Sequence, residues 1–167
     1  MVDADFLYAV AQVGATYAGF STLVAVVAYR GQTGPIPARI YYMLLLSLIV
    51  IMSSFLPQIV QYFGADNMLA WRIASALYAA AWTGYWVNAL RTIKTRFSSP
   101  SELSFLNRLN TYAIHPAAIA VLSLSAFGLW GDLAGAVYAT ALFVMLYMSA
   151  YLFLQIVTEF LRDRESR

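Results

Sequence analysis

The chain contains no cysteine. That excludes disulfides, thiol nucleophiles, thiolate-bound iron–sulfur clusters and most structural zinc sites. It holds a single histidine, His115, so a haem ligated by two histidines of one chain is excluded as well. Charge is scarce: Asp, Glu, Lys and Arg make up 11% of 167 residues, against about 25% in an ordinary soluble domain. With 62% hydrophobic residues and a mean hydropathy of +0.69, such a chain cannot cover its own surface with polar groups, so lipid must solvate it. The net charge of +2 carries no nucleic-acid signal. The first ten residues, MVDADFLYAV, lack Lys and Arg, and a signal peptide needs a basic start. The first apolar segment is therefore expected to stay as a membrane helix.

What is present is a series of long apolar runs. A spanning helix needs roughly 20 apolar residues. Five segments meet that length or approach it, at about 6–29, 40–63, 69–90, 113–129 and 133–160. A polar loop over 91–112 separates the third from the fourth, with Ser101 as a candidate N-cap, and Trp130-Gly131-Asp132 makes a tight hairpin between the last two. The expected fold is an all-α integral membrane bundle of five helices in one domain. Should the last two form a re-entrant hairpin, three helices would span.

Basic residues set the orientation, because cytoplasmic loops are enriched in Lys and Arg. With the N-terminus outside, nine of the ten basic residues fall on the cytoplasmic side and only Arg72 lies outside. The expectation is N-out and C-in, in a bacterial inner membrane. Tyr62, Phe63, Trp71 and Trp130 then sit at the outer interface, with Tyr29, Tyr41, Tyr42, Trp86 and Tyr112 at the inner one.

Polar residues inside the spans are the candidate site. Ser47, Ser54, Gln58 and Gln61 share one face of the second segment at about 100° per residue, beside Pro57. Gln12, Thr16 and Gly19 share a face of the first. Depth in antiparallel helices pairs Gln12 with Gln58 and Thr16 with Ser54, as interhelical hydrogen bonds or as the lining of a polar path. Pro57 frees the carbonyl of Ser53, which Ser54 or a neighbouring helix must satisfy. Small residues in the ladders Ala11–Ala15–Gly19 and Gly14–Ala18–Thr22 permit close helix approach. On the cytoplasmic side, His115 is expected near Tyr147 and Asn88, as a structural residue or a pH-sensitive cluster. Tyr151 and Gln155 follow on a nearby face.

No Asp, Glu, Lys or Arg lies in the middle of any predicted span, which argues against ion-coupled pumps and voltage sensors. GxSxG, HExxH, P-loop and Rossmann glycine patterns are all absent, so no enzyme is indicated. Asp66 and Asp132 read as turn or cap residues. The aromatics at helical spacing carry no pigment or quinone motif, and no cofactor or metal is expected.

Two resemblances follow from these segments. SFLPQIVQYF is similar to the proline–glutamine helix of PQ-loop transporters, but a second Pro-Gln is missing and no basic residues follow, so the match reads as coincidence. AQVGATYAGFSTLVAV, MLLLSLIVIMSSFLPQIV and LAWRIASALY resemble, in order and spacing, a group of small uncharacterised bacterial inner-membrane proteins. That resemblance implies a location and no activity. Two functions stay open. One is transport, by an oligomeric channel or facilitator for a small ion or neutral solute with helices one and two on the path. The other is a non-catalytic accessory subunit of a larger membrane complex, with a homo-oligomer or other membrane subunits as partners.

Overall fold

The computed structural model describes residues 4–28, 38–96 and 104–165. The order is α1 (Ala4–Ala28), α2 (Ala38–Tyr62), α3 (Asn67–Arg96), α4 (Phe105–Leu109), a π-turn (Asn110–Ile114), α5 (His115–Ala126), a 3₁₀ turn (Gly131–Leu133) and α6 (Ala134–Glu165). Among the described residues there is no strand. Four stretches are long and apolar enough to cross a membrane: Ala4–Val27, Arg39–Tyr62, Phe105–Ala126 and Gly131–Thr158. The chain is thus an all-helical, multi-pass membrane bundle. α3 is as long as the others but more polar. It presents one face to the core through Ala70, Trp71, Ala74, Ser75, Tyr78, Ala79, Trp82 and Tyr85.

The fourth expected segment starts earlier than its apolar run. The backbone is helical from Phe105, with Ser104 as N-cap accepting from the Asn107 amide. Asn107, Arg108 and Asn110 suggested a loop, yet Asn110 and Thr111 are buried against the bundle. Polarity here marks an inward face rather than a connection. The proposed cap Ser101, along with Tyr29, Arg30 and Arg167, lies outside the described residues.

Helix ends follow local chemistry. Gly64 (φ +91) and Gly128 (φ +84) occupy left-handed positions that favour glycine. Each closes a Schellman motif: Ala65 N donates to Val60 O and Gly64 N to Gln61 O, while Leu129 N donates to Leu124 O and Gly128 N to Ser125 O. Asp66 then caps α3 by accepting the Leu69 amide at 2.8 Å. The Nε of Arg72 donates to Ala126 O at 3.2 Å, placing a cation at the carbonyl end of α5, where the helix dipole favours it.

Two prolines interrupt the backbone ladders, and in each case an aromatic side chain of another helix compensates. α2 runs through Pro57, which cannot donate to the Ser53 carbonyl four residues earlier. Tyr138 Oη of α6 donates to that oxygen at 2.7 Å. Ser54, the other expected donor, bonds back to Val50 O at 2.9 Å instead. The second case is the π-turn. In an i→i+5 register, His115 N donates to Asn110 O. The next donor in that register would be residue 116, which is proline. The Thr111 carbonyl is taken up by Trp86 Nε1 of α3 at 2.8 Å.

A run of rings fills the centre. Trp71–Tyr138 (5.5 Å between centroids), Tyr138–Tyr78 (5.4 Å), Tyr78–Trp82 (5.4 Å), Trp82–His115 (6.0 Å), His115–Tyr85 (5.6 Å) and Tyr85–Tyr42 (5.7 Å) form one continuous column. Tyr78, Trp82 and Tyr138 are fully buried. Serine pairs clasp the helices around it: Ser47 with Ser149 at 3.0 Å joins α2 to α6, and Ser75 with Ser125 at 3.1 Å joins α3 to α5.

The Pro57–Tyr138 relation is testable by a double-mutant cycle. Tyr138→Phe leaves the Ser53 carbonyl unpaired in a buried site and should destabilise the detergent-solubilised protein by about 1–2 kcal/mol. In a Pro57→Ala background the helix supplies its own donor, and the same change should cost less than half as much. Equal losses in both backgrounds, read from thermal denaturation, would show that the tyrosine does not serve the proline gap.

Candidate functional site

The expected helix 1–2 pairs do not form. Gln12 and Thr16 are exposed, and Thr16 Oγ1 donates to Gln12 O of its own helix at 2.9 Å. Ser54 is likewise bonded within α2, and the Nε2 of half-buried Gln58 has no partner. The reason is Gly14. A Cβ there would stand 3.1 Å from Ile51 Cγ1, 3.3 Å from Val50 Cγ1 and 3.4 Å from Ser47 O, so α1 approaches α2 closely at this glycine. Docking on Ala11 and Gly14 turns Gln12, Ala15, Thr16 and Gly19 to the outside; a Cβ at Gly19 would touch nothing within 4 Å. On α2, Ser47 meets α6, Pro57 is buried, and exposed Gln61 donates to Asn67 Oδ1 at 3.0 Å across the turn. The polar stripe is thereby divided between α6 and α3, with Ser54 bonded within its own helix.

The His115 grouping also changes. Trp82 Nε1 donates to His115 Nδ1 at 2.8 Å, and the ring packs on Tyr85. With Nδ1 accepting, the neutral imidazole carries its proton on Nε2. Tyr147 is 48% exposed and stacks on Tyr151 rather than on His115. Asn88 is exposed, and only its carbonyl engages, accepting from Tyr42 Oη at 3.2 Å. On helices 1 and 2 both depth and rotation differ from expectation: Gly14 lies level with Val50 and Ile51 and Tyr8 packs on Phe55, which sets Gln12 nearer Met52 than Gln58. Around His115 the rotation of each helix about its axis decides the contacts.

A different group does converge. A half-enclosed cavity of about 190 Å³ lies where the start of α2, the end of α3, the α4–π-turn–α5 rod and the C-terminal half of α6 meet. Arg39 and Tyr42 come from α2, Tyr85, Trp86 and Thr92 from α3, and Asn107, Asn110, Thr111 and His115 from the rod. Tyr151 and Gln155 come from α6, as the sequence placed them. Both donate to Asn107 Oδ1, each at 3.0 Å. Tyr42 Oη and Thr92 Oγ1 are also hydrogen-bonded. Among the described lining residues there is no carboxylate.

Asn110 is 5% exposed, and both its Nδ2 and its Oδ1 are buried with no hydrogen-bond partner. Buried amides in native structures are nearly always satisfied, so such a group marks strain or a site that acts on something. It sits on the π-turn, a feature concentrated at functional sites. Sequence reasoning missed Asn110 because it fell in a presumed loop. The signal that could have found it is Pro116, whose missing N–H favours a wide turn just before it.

No group of three metal-ligating residues occurs among the described residues. No family model matches the chain, nor does any curated protein or solved structure.

An unpaired buried amide destabilises its protein by about 1–3 kcal/mol. Asn110→Leu should therefore raise the unfolding midpoint of the purified protein, by an amount equivalent to about 1–2 kcal/mol, while impairing whatever the cavity does. A midpoint lowered by that amount would mean that Asn110 is satisfied and structural.

Proposed function

We propose that the chain is a non-catalytic inner-membrane protein of bacterial type that binds a small neutral solute in the Asn110 cavity and facilitates its passage. The observation that carries this reading is the half-enclosed cavity of about 190 Å³ with polar and aromatic walls, among whose lining residues is Asn110. The topology that goes with it has five crossings, α3 included, with the N-terminus outside and the C-terminus in the cytoplasm. α3 is long enough to span, and its charged residues Arg72, Arg91, Lys94 and Arg96 lie toward its two ends. In this orientation Arg39, which lines the cavity, lies on the cytoplasmic side with Arg91, Lys94 and Arg108, so the solute enters from the cytoplasm.

The path is then not the helix 1–2 stripe. The aromatic column closes the centre beneath the cavity, with the Trp82–His115 bond as its first barrier. Passage requires that pair to move, and a channel for small ions is the less favoured form because no charged residue lines the column. Stopped-flow light scattering of liposomes holding only this chain tests the reading with acetamide, urea and glycerol. At least one solute should permeate several-fold faster than through protein-free liposomes, and Asn110→Leu should abolish the gain. Rates equal to those of empty liposomes would refute transport.

A second reading, association with other membrane subunits, is favoured by Gln12. This amide is exposed on a spanning helix, beside Ala15 and Gly19, which leave room for a close neighbour. A second copy that covers this face would satisfy the glutamine in the absence of water. Native mass spectrometry should show a homo-oligomer that Gln12→Leu converts to monomer. Other proteins in fixed ratio would support an accessory subunit, and a wild-type monomer would remove both.

A further inference from the structure

The outward face of α1 carries a polar group that lipid cannot satisfy. We infer that two copies of the chain pair through this face, α1 running parallel to α1 about a two-fold axis along the membrane normal, with the Gln12 amides of the two copies bonded to each other. The inference rests on the reading of the chain as a homo-oligomer, and it names the surface, the register and the residue that fixes them.

Three observations carry it. First, Gln12 is exposed on a stretch long and apolar enough to span, Ala4–Val27, and lies within a helical turn of its middle. That depth is well inside a hydrocarbon core about 30 Å thick. The Gln12 carbonyl accepts from Thr16, while its side-chain amide bonds to no described residue. Acyl chains offer it neither donor nor acceptor, so a protein surface must. Second, Gln12, Ala15, Gly19, Thr22 and Val26 follow one another at alternating steps of three and four, and all are exposed. Such spacing is the seam of a left-handed helix pair, in which a single polar residue sets the register. Third, a Cβ at Gly19 would meet nothing within 4 Å, whereas one at Gly14, about 140° round the helix, would press on Val50 and Ile51 of α2. Glycine weakens a helix interior unless a neighbour approaches closely. A second α1 gives Gly19 on the outward face the role that Gly14 has on the inward one. The membrane supplies the symmetry. Copies inserted under the same charge bias run in the same direction, so equal residue numbers lie at equal depth. Gln12 then meets Gln12, and a carboxamide, with donor and acceptor side by side, is its own complement.

Because the chain has no cysteine, single cysteines report the contact directly. The test is oxidative cross-linking of single-cysteine variants of the full chain in membranes. Ala15→Cys, Gly19→Cys and Thr22→Cys should give a disulfide-linked dimer. Val13→Cys and Phe20→Cys are also exposed but lie about 100° round the helix from Gln12 and Gly19, and should give at least tenfold less. In the Ala15→Cys background, Gln12→Leu should lower the dimer at least tenfold, while Gln12→Asn, which keeps the amide, should retain it. Gly19→Leu adds its bulk where a Cβ meets nothing in the protomer, and it should lower the dimer as Gln12→Leu does. Cross-linking as strong at Val13 and Phe20 as on the seam would overturn the inference. So would its absence on the seam, or its survival with Gln12→Leu. Native mass spectrometry separates this failure from that of the broader reading. A homo-oligomer whose seam does not cross-link would retain self-association and reject this pairing, and a monomer would reject both.

Discussion

The architecture depends on how two carbonyls are satisfied where no water can reach them. Proline in a helix removes one donor from the ladder. In lipid or in a packed core the stranded oxygen must be paired from elsewhere. Here the Ser53 carbonyl takes the Tyr138 hydroxyl and the Thr111 carbonyl takes the Trp86 indole. Each donor comes from another helix, so each proline defect becomes a tie between helices, α2 to α6 and α3 to the π-turn. Helix packing in a membrane lacks a hydrophobic drive, and ties of this kind therefore carry much of the specificity.

The same side chains build the interior. Tyr138 serves Pro57 and also stands in the aromatic column between Trp71 and Tyr78. Trp82 is stacked in that column and holds His115 by its indole N–H. A ring with a polar tip can fill volume and satisfy a backbone or imidazole acceptor at once. The result is a bundle closed along its centre, which leaves its chemistry to one end, where α2, α3, the π-turn and α6 diverge around the cavity.

Against this background of paired groups Asn110 stands out. Asn107 on the same rod is engaged by Tyr151 and Gln155, and Ser47 and Ser75 each have a serine partner. Gln58 Nε2 and both amide atoms of Asn110 are the buried side-chain atoms left without a partner among the described residues, and local rules broken in this way are expected where function outweighs stability. The nearby Trp86–Thr111 bond holds the turn that carries Asn110, so the orphaned amide is presented by a fixed backbone and not by a mobile loop.

Much of the fold was legible in the sequence because it is decided locally. Asp66, read as a turn or cap residue, does start α3 with its carboxylate. Scarce charge and long apolar runs made the chain a membrane bundle, and Pro57 announced a stranded carbonyl. Which neighbour answers each polar face was decided only by the tertiary structure. Periodicity gives the angle between residues on one helix but not the rotation of that helix against the next. Gly14 set that rotation for α1, which sent Gln12 outward and left Ser47 to meet Ser149. Asn110 was read as loop because a polar residue at a helix end has the same composition whether it faces water or a cavity. Only packing against α3 and α6 makes the difference, because burial is a property of the assembled surfaces and not of the residue.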